Sequence, residues 1–528
     1  MINVLLVDLG TPRDEISEPL GIETLAPYVE EEFPNEVSLE LRSLELDNQP
    51  SIDEYIKQKF FSVIGLSTKI RAYNRFRQSM EIIQRKTPES IVVIGDILGT
   101  YAFEEVLSRY PNVICVRGEG ENAFREIIKS VLNSGIEELS LNHIPNLACI
   151  SEGQLRLTKR EMFDLTKAKH PHRVLAPEVF KQHGIGRLEA SRGCAYSMCD
   201  FCGNIEKYNG PGWRPFPLNF VVEELITLSK IGFKSPYFTD EDFLGDDIDR
   251  AYELADKIDK AKKEGLVNPE LDFYINLRVN SVLGIGIGGK QEALKLLRRL
   301  KEIGLREIFI GVESGCKDQL MKRYKKGVTK ENNIEAIKIL RHLGIEIDLG
   351  FIFFDQESTL VELRENLNFI SKAGLVRQDA QLIKKIRVEP RTPLGFRFAK
   401  EHPNVKIDLN LVEFPYQFKE SEVGTIYGIF TTWQKEDLDV IYNLQSFCRG
   451  EIPEGYTRKE IKDVISRYRE LDVRYLAEIV KIFESNITNR EKRAKEITQK
   501  FQEIRKKLDS TLIDRVQWLD SKFRRFKV

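Results

Sequence analysis

Histidine is scarce in this chain: there are six among 528 residues, and none before His143. Its absence excludes a histidine ligand to any metal or cofactor held by the first part of the chain. Long apolar runs are missing as well. None reaches the eighteen or so residues that a membrane span requires. Net charge is nearly absent, at −2, so no general attraction to nucleic acid or anionic membrane is expected. Cysteine is sparse and odd in number, seven with three of them clustered, and a chain this long gains no disulfide framework from that set. A reducing cytoplasm is the expected compartment. The N-terminus, MINVLLVDLGTP, lacks a basic leader and carries Asp8 within its apolar run, so it reads as a strand and not as a signal peptide.

What is present describes a globular protein of two or three domains, 41% hydrophobic and 31% charged. From Ile2 to about Val131, short runs rich in Val, Ile and Leu (2–9, 37–46, 62–67, 90–95, 112–116) alternate with helical patterns near 23–32, 51–60, 72–86, 102–109 and 121–133. This predicts an α/β, doubly wound (Rossmann-like) domain over 1–135, with a five-stranded parallel sheet and a ligand beyond the strand C-termini. The loops there are Ser67 and Thr68, Gly95 to Gly99, and Gly118, Glu119 and Gly120. Glycine lets a backbone approach a large polar ligand, although each taken alone reads as an ordinary turn. Residues 136–184 read as an irregular linker, with His170 and His172 in an exposed polar loop.

From 185 to 404 the alternation resumes at a longer period. Strand candidates at 187–191, 235–240, 271–278, 307–313, 345–354 and 382–389 alternate with amphipathic helices near 218–230, 248–263, 291–303, 330–343 and 359–373. Gly232, Gly265, Gly304, Gly344 and Gly374 follow these helices as C-caps. Six such units predict a partial (β/α)6 TIM-type barrel, with its chemistry on the loops after the strands. Residues 405–528 read as mainly helical. Their last stretch, 490–528, carries 13 Lys/Arg against 6 Asp/Glu, a solvated helix face or a surface for an acidic substrate or peptide. Cys316 and Cys448 read as structural thiols.

The densest chemistry lies after the first barrel strand, in SRGCAYSMCDFCG (191–203). Cys194, Cys199 and Cys202 are separated by four residues and then two. Three thiolates on one loop can hold three irons of a [4Fe–4S] cube and leave the fourth open, since the next cysteine is Cys316. Two other readings stand: a zinc site, for which no fourth ligand follows at finger-like spacing, and a group of buried reduced thiols.

The loop resembles that of the radical SAM enzymes, whose open iron binds S-adenosylmethionine and whose chemistry yields a 5′-deoxyadenosyl radical. The commonest family motif has three residues between the first two cysteines where this chain has four. The resemblance places Phe201 by the adenine and makes Thr239, Asp240 and Glu241 a variant of the family's GGE motif without its two glycines. Arg278 would grip the SAM carboxylate, and Gly311, Glu313 and Ser314 in GVESG would contact ribose and methionine. LMKRYKKGVT (320–329), FFDQESTLVELRENLNFI (353–370) and the RTPL element at Arg391–Leu394 extend the likeness, which covers roughly 1–400. EPLGIETLAPYVEE, IGLST, VVIGD and VRGEGENAFREI likewise resemble the cobalamin-binding domain of B12-dependent members, without the D-x-H-x-x-G signature of other B12 proteins. A cobalamin-dependent radical SAM methyltransferase is thus implied, acting on an unactivated carbon of a small-molecule or peptide substrate. An electron donor such as flavodoxin or ferredoxin would serve it. Cyclisation or rearrangement, a B12-free enzyme, and a non-catalytic Fe–S or zinc protein are the alternatives.

Overall fold

The structure is a computed structural model that describes residues 1–10, 16–46, 51–135, 141–378, 383–452, 455–485 and 488–523, the side chains at 439, 443 and 513–523 excepted. Seven strands form the first sheet: β1 (Ile2–Asp8), β2 (Val37–Ser43), β3 (Val63–Thr68), β4 (Ile91–Gly95), β5 (Ile114–Val116), β6 (Leu147–Ser151) and β7 (Gln154–Leu157), in the order β2-β1-β3-β4-β5-β6-β7. The first five are parallel. Helices cover both faces, so β1, β3 and β4 are apolar along nearly their whole length, and two hydrophobic cores lie on either side of them. The order reverses at β1, and the crevice beyond β1 and β3 is where such folds bind ligands.

The linker expected over 136–184 is more regular than its composition suggests. The hairpin β6–β7 extends the first sheet antiparallel to β5, and a short helix follows at Ala176–Lys181. Every residue of β7 is exposed; its QLRL alternates polar and apolar side chains, but over only four residues.

A second sheet contains β8 (Arg187–Leu188), β11 (Tyr237–Phe238), β12 (Phe273–Leu277), β13 (Leu305–Glu313) and β14 (Glu346–Phe351), all parallel, in the order β14-β13-β12-β11-β8. A separate hairpin pairs β9 (Ser191–Cys194) with β10 (Gly212–Pro215). The barrel helices lie at Leu218–Ile231, Ile248–Lys263, Lys290–Glu302, Lys330–His342 and Leu360–Lys372, and the glycines that follow take φ from 63° to 120°. The sixth expected strand is reduced to one parallel bridge, Phe354 to Lys385; its first residue, Leu382, lies outside the described residues.

Four helices (Ser421–Gln434, Leu438–Arg449, Arg458–Glu484, Arg490–Phe523) complete the chain. Lys462 reaches Glu346 at 2.6 Å and Glu307 at 3.3 Å, near the starts of β14 and β13, so the long helix Arg458–Glu484 starts at the barrel edge opposite the strand C-termini; it ends at Glu484, which pairs with Arg364 (3.1 Å) in the first turns of the helix after β14. The basic tail begins beside that end, Arg490 pairing with Glu422 (3.7 Å), and residues 524–528 lie outside the described residues.

One core runs from β1 through the barrel to Tyr475, so the two sheets are not independently packed. Their seam is ionic as well as apolar. Arg173, buried, is held between Glu18 and Glu224. His170 and His172 are not free loop residues: the first bonds Glu224 (2.6 Å) and Glu223 (2.9 Å) and stacks on Phe220, and the second pairs with Glu30. Removing one member of a buried ion pair leaves the others uncompensated. Arg173→Ala is expected to cost about 3–5 kcal/mol in urea unfolding; a loss within about 0.5 kcal/mol would mean that the carboxylates are solvated.

Candidate functional site

The cysteine loop hangs from the β9–β10 hairpin. Cys194 pairs in register with Gly212, and Gly193 takes φ +85° where a Cβ would lie 2.1 Å from the Gly212 carbonyl. Ser197 accommodates the four-residue spacing. It adopts φ +45°, donates from its hydroxyl to the Cys194 carbonyl, and accepts from Gly212 N (3.2 Å). Cys202 N bonds the Cys199 carbonyl (3.1 Å), and Tyr101 of the first domain donates to Gly203 O (2.9 Å). All three thiols are partly accessible and unoxidised. Burial raises each above its ordinary value, Cys202 to about 12, with the neighbouring thiols adding to the shifts at Cys199 and Cys202 and Lys326 opposing them.

Among the described residues, no three His, Cys, Asp or Glu side chains converge as ligands of one metal ion. Cys316 does not supply a fourth thiol to the loop: it is buried with its Sγ on the Glu362 carbonyl (3.3 Å).

The strand-end polar residues gather around this loop, though several are committed to the chain itself. Asp242, buried, accepts from Arg278 Nε (2.6 Å) and Ala195 N (3.3 Å) and lies 3.8 Å from Cys194 Sγ. Arg278 also donates to Asp246 (2.5 Å) and Gly245 O, so it grips the protein's own carboxylates. Asp240 accepts from Ala190 N (3.0 Å) and Ser191 Oγ. Glu241 takes Lys207 (2.6 Å) and Tyr208 (2.7 Å). The bulge in β13 puts Glu313 at φ +62°, where it pairs with Lys326 (3.0 Å), and a Cβ on Gly311 would collide with both side chains. Ser314 is fully buried, with its hydroxyl bonded to Gln319 and Asn366, so it faces away from any ligand. Phe201 packs edge-on to Tyr324 at 5.8 Å.

A cavity of about 350 Å³ separates the C-terminal edges of the two sheets. The first sheet lines it with Asp8, Ser67, Lys69, Gly95, Asp96, Gly118, Glu119 and Gly120; the barrel side adds Glu189, Arg192, Tyr208 and Thr239. Thr68 is not part of the wall: it is buried, donating to Gly95 O and accepting from Leu98 N at a helix start. Glu119 lines the cavity but is spent on Arg192 (2.8 Å), Arg214 (2.9 Å) and Phe163 N (2.9 Å). The features left open are the glycines and one carboxylate oxygen. A Cβ on Gly21 or Gly95 would meet nothing within 4 Å, and Asp8 Oδ1 is buried without a partner. Such a cradle fits a large planar ligand bearing amide donors. Asp8, Lys69, Tyr208 and Lys326 were not among the expected site residues; Lys326 lies inside the LMKRYKKGVT segment, while the others carry no local signature.

A partial barrel with three cysteines after its first strand, facing a doubly wound domain across a shared cavity, defines a cofactor-dependent enzyme. The comparisons with known proteins agree. The Radical SAM superfamily profile matches residues 188–370 and the B12 binding domain profile residues 7–128. The 4′-phospho-dehydrooxetanocin synthase of Priestia megaterium is 28% identical over 447 residues, 80% of this chain and 58% of the relative's length. The structure of the cobalamin-dependent S-adenosylmethionine radical enzyme OxsB, with aqua-cobalamin and S-adenosylmethionine bound, superposes with a TM-score of 0.80 at 22% identity, covering 97% of this chain and 80% of that one. The radical S-adenosylmethionine methyltransferase TsrM from Kitasatospora setae, with cobalamin and a [4Fe–4S] cluster bound, gives 0.67 at 17% identity, covering 90% and 99%. The chain thus carries a radical SAM domain and a B12 binding domain, the first pointing to a [4Fe–4S] cluster with S-adenosylmethionine and the second to cobalamin. The likeness in fold extends past residue 405, and the match to the synthase, over 80% of this chain, is also longer than the roughly 400 residues over which the resemblance was expected. Among the described residues, no helix is long and apolar enough to cross a membrane.

Burial moves the Asp240 carboxyl from 3.8 up to about 7. The folded protein then holds this proton more tightly than the unfolded chain, so the group's contribution is complete below pH 3.8 and is lost as pH rises to about 7. Asp240→Asn is expected to remove a stability slope of up to about 1.4 kcal/mol per pH unit across that window. Denaturation at several pH values measures it, and parallel profiles for variant and wild type would refute the shift.

Proposed function

We propose that Cys194, Cys199 and Cys202 hold the cluster and that the cavity between the sheet edges holds cobalamin, the substrate lying where Thr239, Tyr208 and Glu189 border both. Bound together, the cofactors supply reductive cleavage of S-adenosylmethionine and radical chemistry on an unactivated carbon. The chain's own part is positioning. Ser197 and the β9–β10 hairpin fix the loop, the Asp242–Arg278 pair braces it behind Cys194, and Lys326 sets a positive charge beside Cys199. Glu313, Gly311 and Phe201 frame the side on which S-adenosylmethionine would bind. Thr239, Asp240 and Glu241 border it through main-chain groups, their side chains being largely engaged. Gly95, Gly118 and Gly120 bring backbone to the corrin face, and with no histidine in this domain the cobalt has no imidazole from it. The observation that carries the reading is the shared cavity, walled from both sheets.

The reaction we favour is remodelling of a carbon framework without net methylation. It is supported by the dehydrooxetanocin synthase, which matches 80% of this chain, and by the likeness to OxsB over 97% of it. Methyl transfer, supported by the likeness to TsrM, is the second reading. This chain spans 58% of the length of the synthase.

Reconstituted wild type is expected to release 5′-deoxyadenosine, and C194A/C199A/C202A to lose it with its acid-labile sulfide. Retained cleavage would end the cluster assignment. S-Adenosylhomocysteine marks a methyl donated by S-adenosylmethionine; its formation in step with product would replace the favoured reaction by methyl transfer. Gly95→Val projects methyl groups into the cavity from an extended backbone at φ −115°, a conformation valine accepts. It is expected to weaken cobalamin retention on gel filtration about tenfold or more at unchanged stability, whereas wild-type retention would move the cofactor elsewhere.

A further inference from the structure

The barrel is sealed at the end remote from the cofactor loops, and the C-terminal region makes the seal. Its described residues between 449 and 462 pass beneath the strands in turn. Gly450 packs under the approach to β8, where a Cβ would lie 2.4 Å from the His183 carbonyl. Glu451 accepts from Lys234 N (2.8 Å) and Ser235 N (3.1 Å) before β11, Arg458 reaches Asp272 (3.6 Å) before β12, and Lys462 holds Glu307 and Glu346 at β13 and β14. The interior above this floor is a well that opens toward the cofactor loops.

The well is not filled by its own side chains. Ile275, Ile308, Ile310, Ile347 and Leu349 belong to the core shared with the helices, so the alternate residues Asn276, Phe309 and Asp348, in register across three strands, face the barrel axis. Phe309 stands on an inner strand of that sheet and is still 36% exposed, which an open interior allows. From the floor, Arg449 reaches the same layer, pairing with Asp348 (2.8 Å) while its side chain stays 35% exposed.

Two further cations stand at the edges of the sheet. β8 and β14 end its order, and beyond β14 only the Phe354–Lys385 bridge continues it. On the β8 edge, Arg187 is in register with Tyr237 and lines the cofactor cavity, its Nε buried without a partner. Glu18 and Glu189, its acidic neighbours, are taken by Arg173 and Arg192. On the other edge, Lys385 turns outward to Glu413 (3.3 Å) and Tyr416, whereas Ile386 packs beside Phe201 of the cysteine loop. Alternation then turns Lys384 inward with Ile386. Burial holds the Lys384 ammonium below its ordinary value; Asp348 attracts it, while Arg449, Arg469 and Arg387 repel it. The residue is exposed all the same, so it borders an enclosed open space. Arg387 and Arg469 have carboxylates of their own in Glu389 and Asp472, and Asp348 is shared with Arg449. Among the described residues, neither Lys384 nor Arg187 forms an ion pair. Tyr237 lies within electrostatic reach of both Arg187 and Arg449, and Lys384 within reach of Arg449, so the three cations share one region of the well. An enclosed charge without a counter-charge is costly, and an anion brought from outside removes that cost.

We propose that the barrel well receives an anionic group of the substrate, a phosphate or a carboxylate, at Lys384 above the Arg449–Asp348 pair, with Arg187 facing it from the β8 edge. The assignment rests on the reading that sets the reacting carbon beside Thr239, which follows Tyr237 by two residues at the mouth of the well. Charge-assisted hydrogen bonds from an ammonium and a guanidinium suit either anion. A neutral analogue leaves both cations uncompensated, so the well selects for a charged substrate, and the C-terminal region takes part in that choice through Arg449.

Inorganic phosphate is the probe, acetate the carboxylate arm, and chloride at equal ionic strength the control. In cobalamin-loaded, reconstituted full-length enzyme, amines are labelled with methyl acetimidate and the modified fraction at each lysine is read by peptide mass spectrometry. Phosphate or acetate is expected to slow labelling of Lys384 about fivefold at saturating concentration while leaving the exposed Lys317 and Lys372 unchanged. The anion that protects at the lower concentration identifies the substrate group. Arg187→Met is expected to raise the concentration needed for protection about fivefold or more, and Arg187→Lys to restore most of it. Protection no greater than that given by chloride would overturn the anion site, as would unchanged protection in Arg187→Met. Failure of the underlying reading is separate: the same wild-type preparation would then form no 5′-deoxyadenosine with dithionite, whatever the labelling shows.

Discussion

The guanidinium of Arg192, buried two residues before the first cysteine, is shared by three carboxylates: Glu119 and Glu121 from the loop after β5, and Glu189 from the end of β8. Arg214, from the strand paired with β9, adds a second cation to Glu119. This clamp joins the C-terminal edges of the two sheets at the level of the cofactor cavity. Buried ion pairs of this kind add little net stability, because desolvation offsets attraction, but a mismatched partner is costly. Their geometry therefore acts as a specificity device. The hairpin that carries the cysteines can sit in one place relative to the first domain, and the cavity between the sheets has one shape.

The clamp also explains why the polar residues of the site are so rarely free. Glu119, Arg278, Glu241 and Glu313 are each matched to a charge from the same chain, and Ser314 is turned into the core. What remains open to a ligand is largely backbone and shape: the bare faces of Gly21 and Gly95, and the unpartnered oxygen of Asp8. Large cofactors rich in amides are well served by such a surface. Close backbone approach and scattered hydrogen bonds bind them without stranding a charge when the site is empty.

Much of the architecture was legible because its signals are local. The strands from β1 to β5 are continuous apolar runs, and the barrel helices begin and end within a residue or two of the positions their periodicity and following glycines predict. The hairpin β6–β7 was missed, since its strands are five and four residues long and the Gln154–Leu157 alternation is too short to stand out in an otherwise irregular stretch. The sixth barrel strand was over-read, because an apolar run sets only the possibility of a strand while the neighbouring backbone decides how many ladder bonds form. Among site residues, the three cysteines share one loop and Gly95, Gly118 and Gly120 line the cavity. The ligand roles read for Arg278 and Ser314 leave out their partners in the fold, most of which lie 32 to 52 residues away in sequence, Gln319 beside Ser314 being the near one.

By itself the sequence determined the class of chemistry: three thiols at fixed spacing, no histidine in the first domain, and two α/β halves in tandem. These are properties of residue identity and short-range period, which are written within a few turns of chain. Only the tertiary structure decided that the two sheets share a core and face one cavity, that Arg192 locks them, and which strand-end charges are spent on each other. Those outcomes depend on side chains brought together from distant segments, where burial and desolvation select partners that spacing along the chain does not specify.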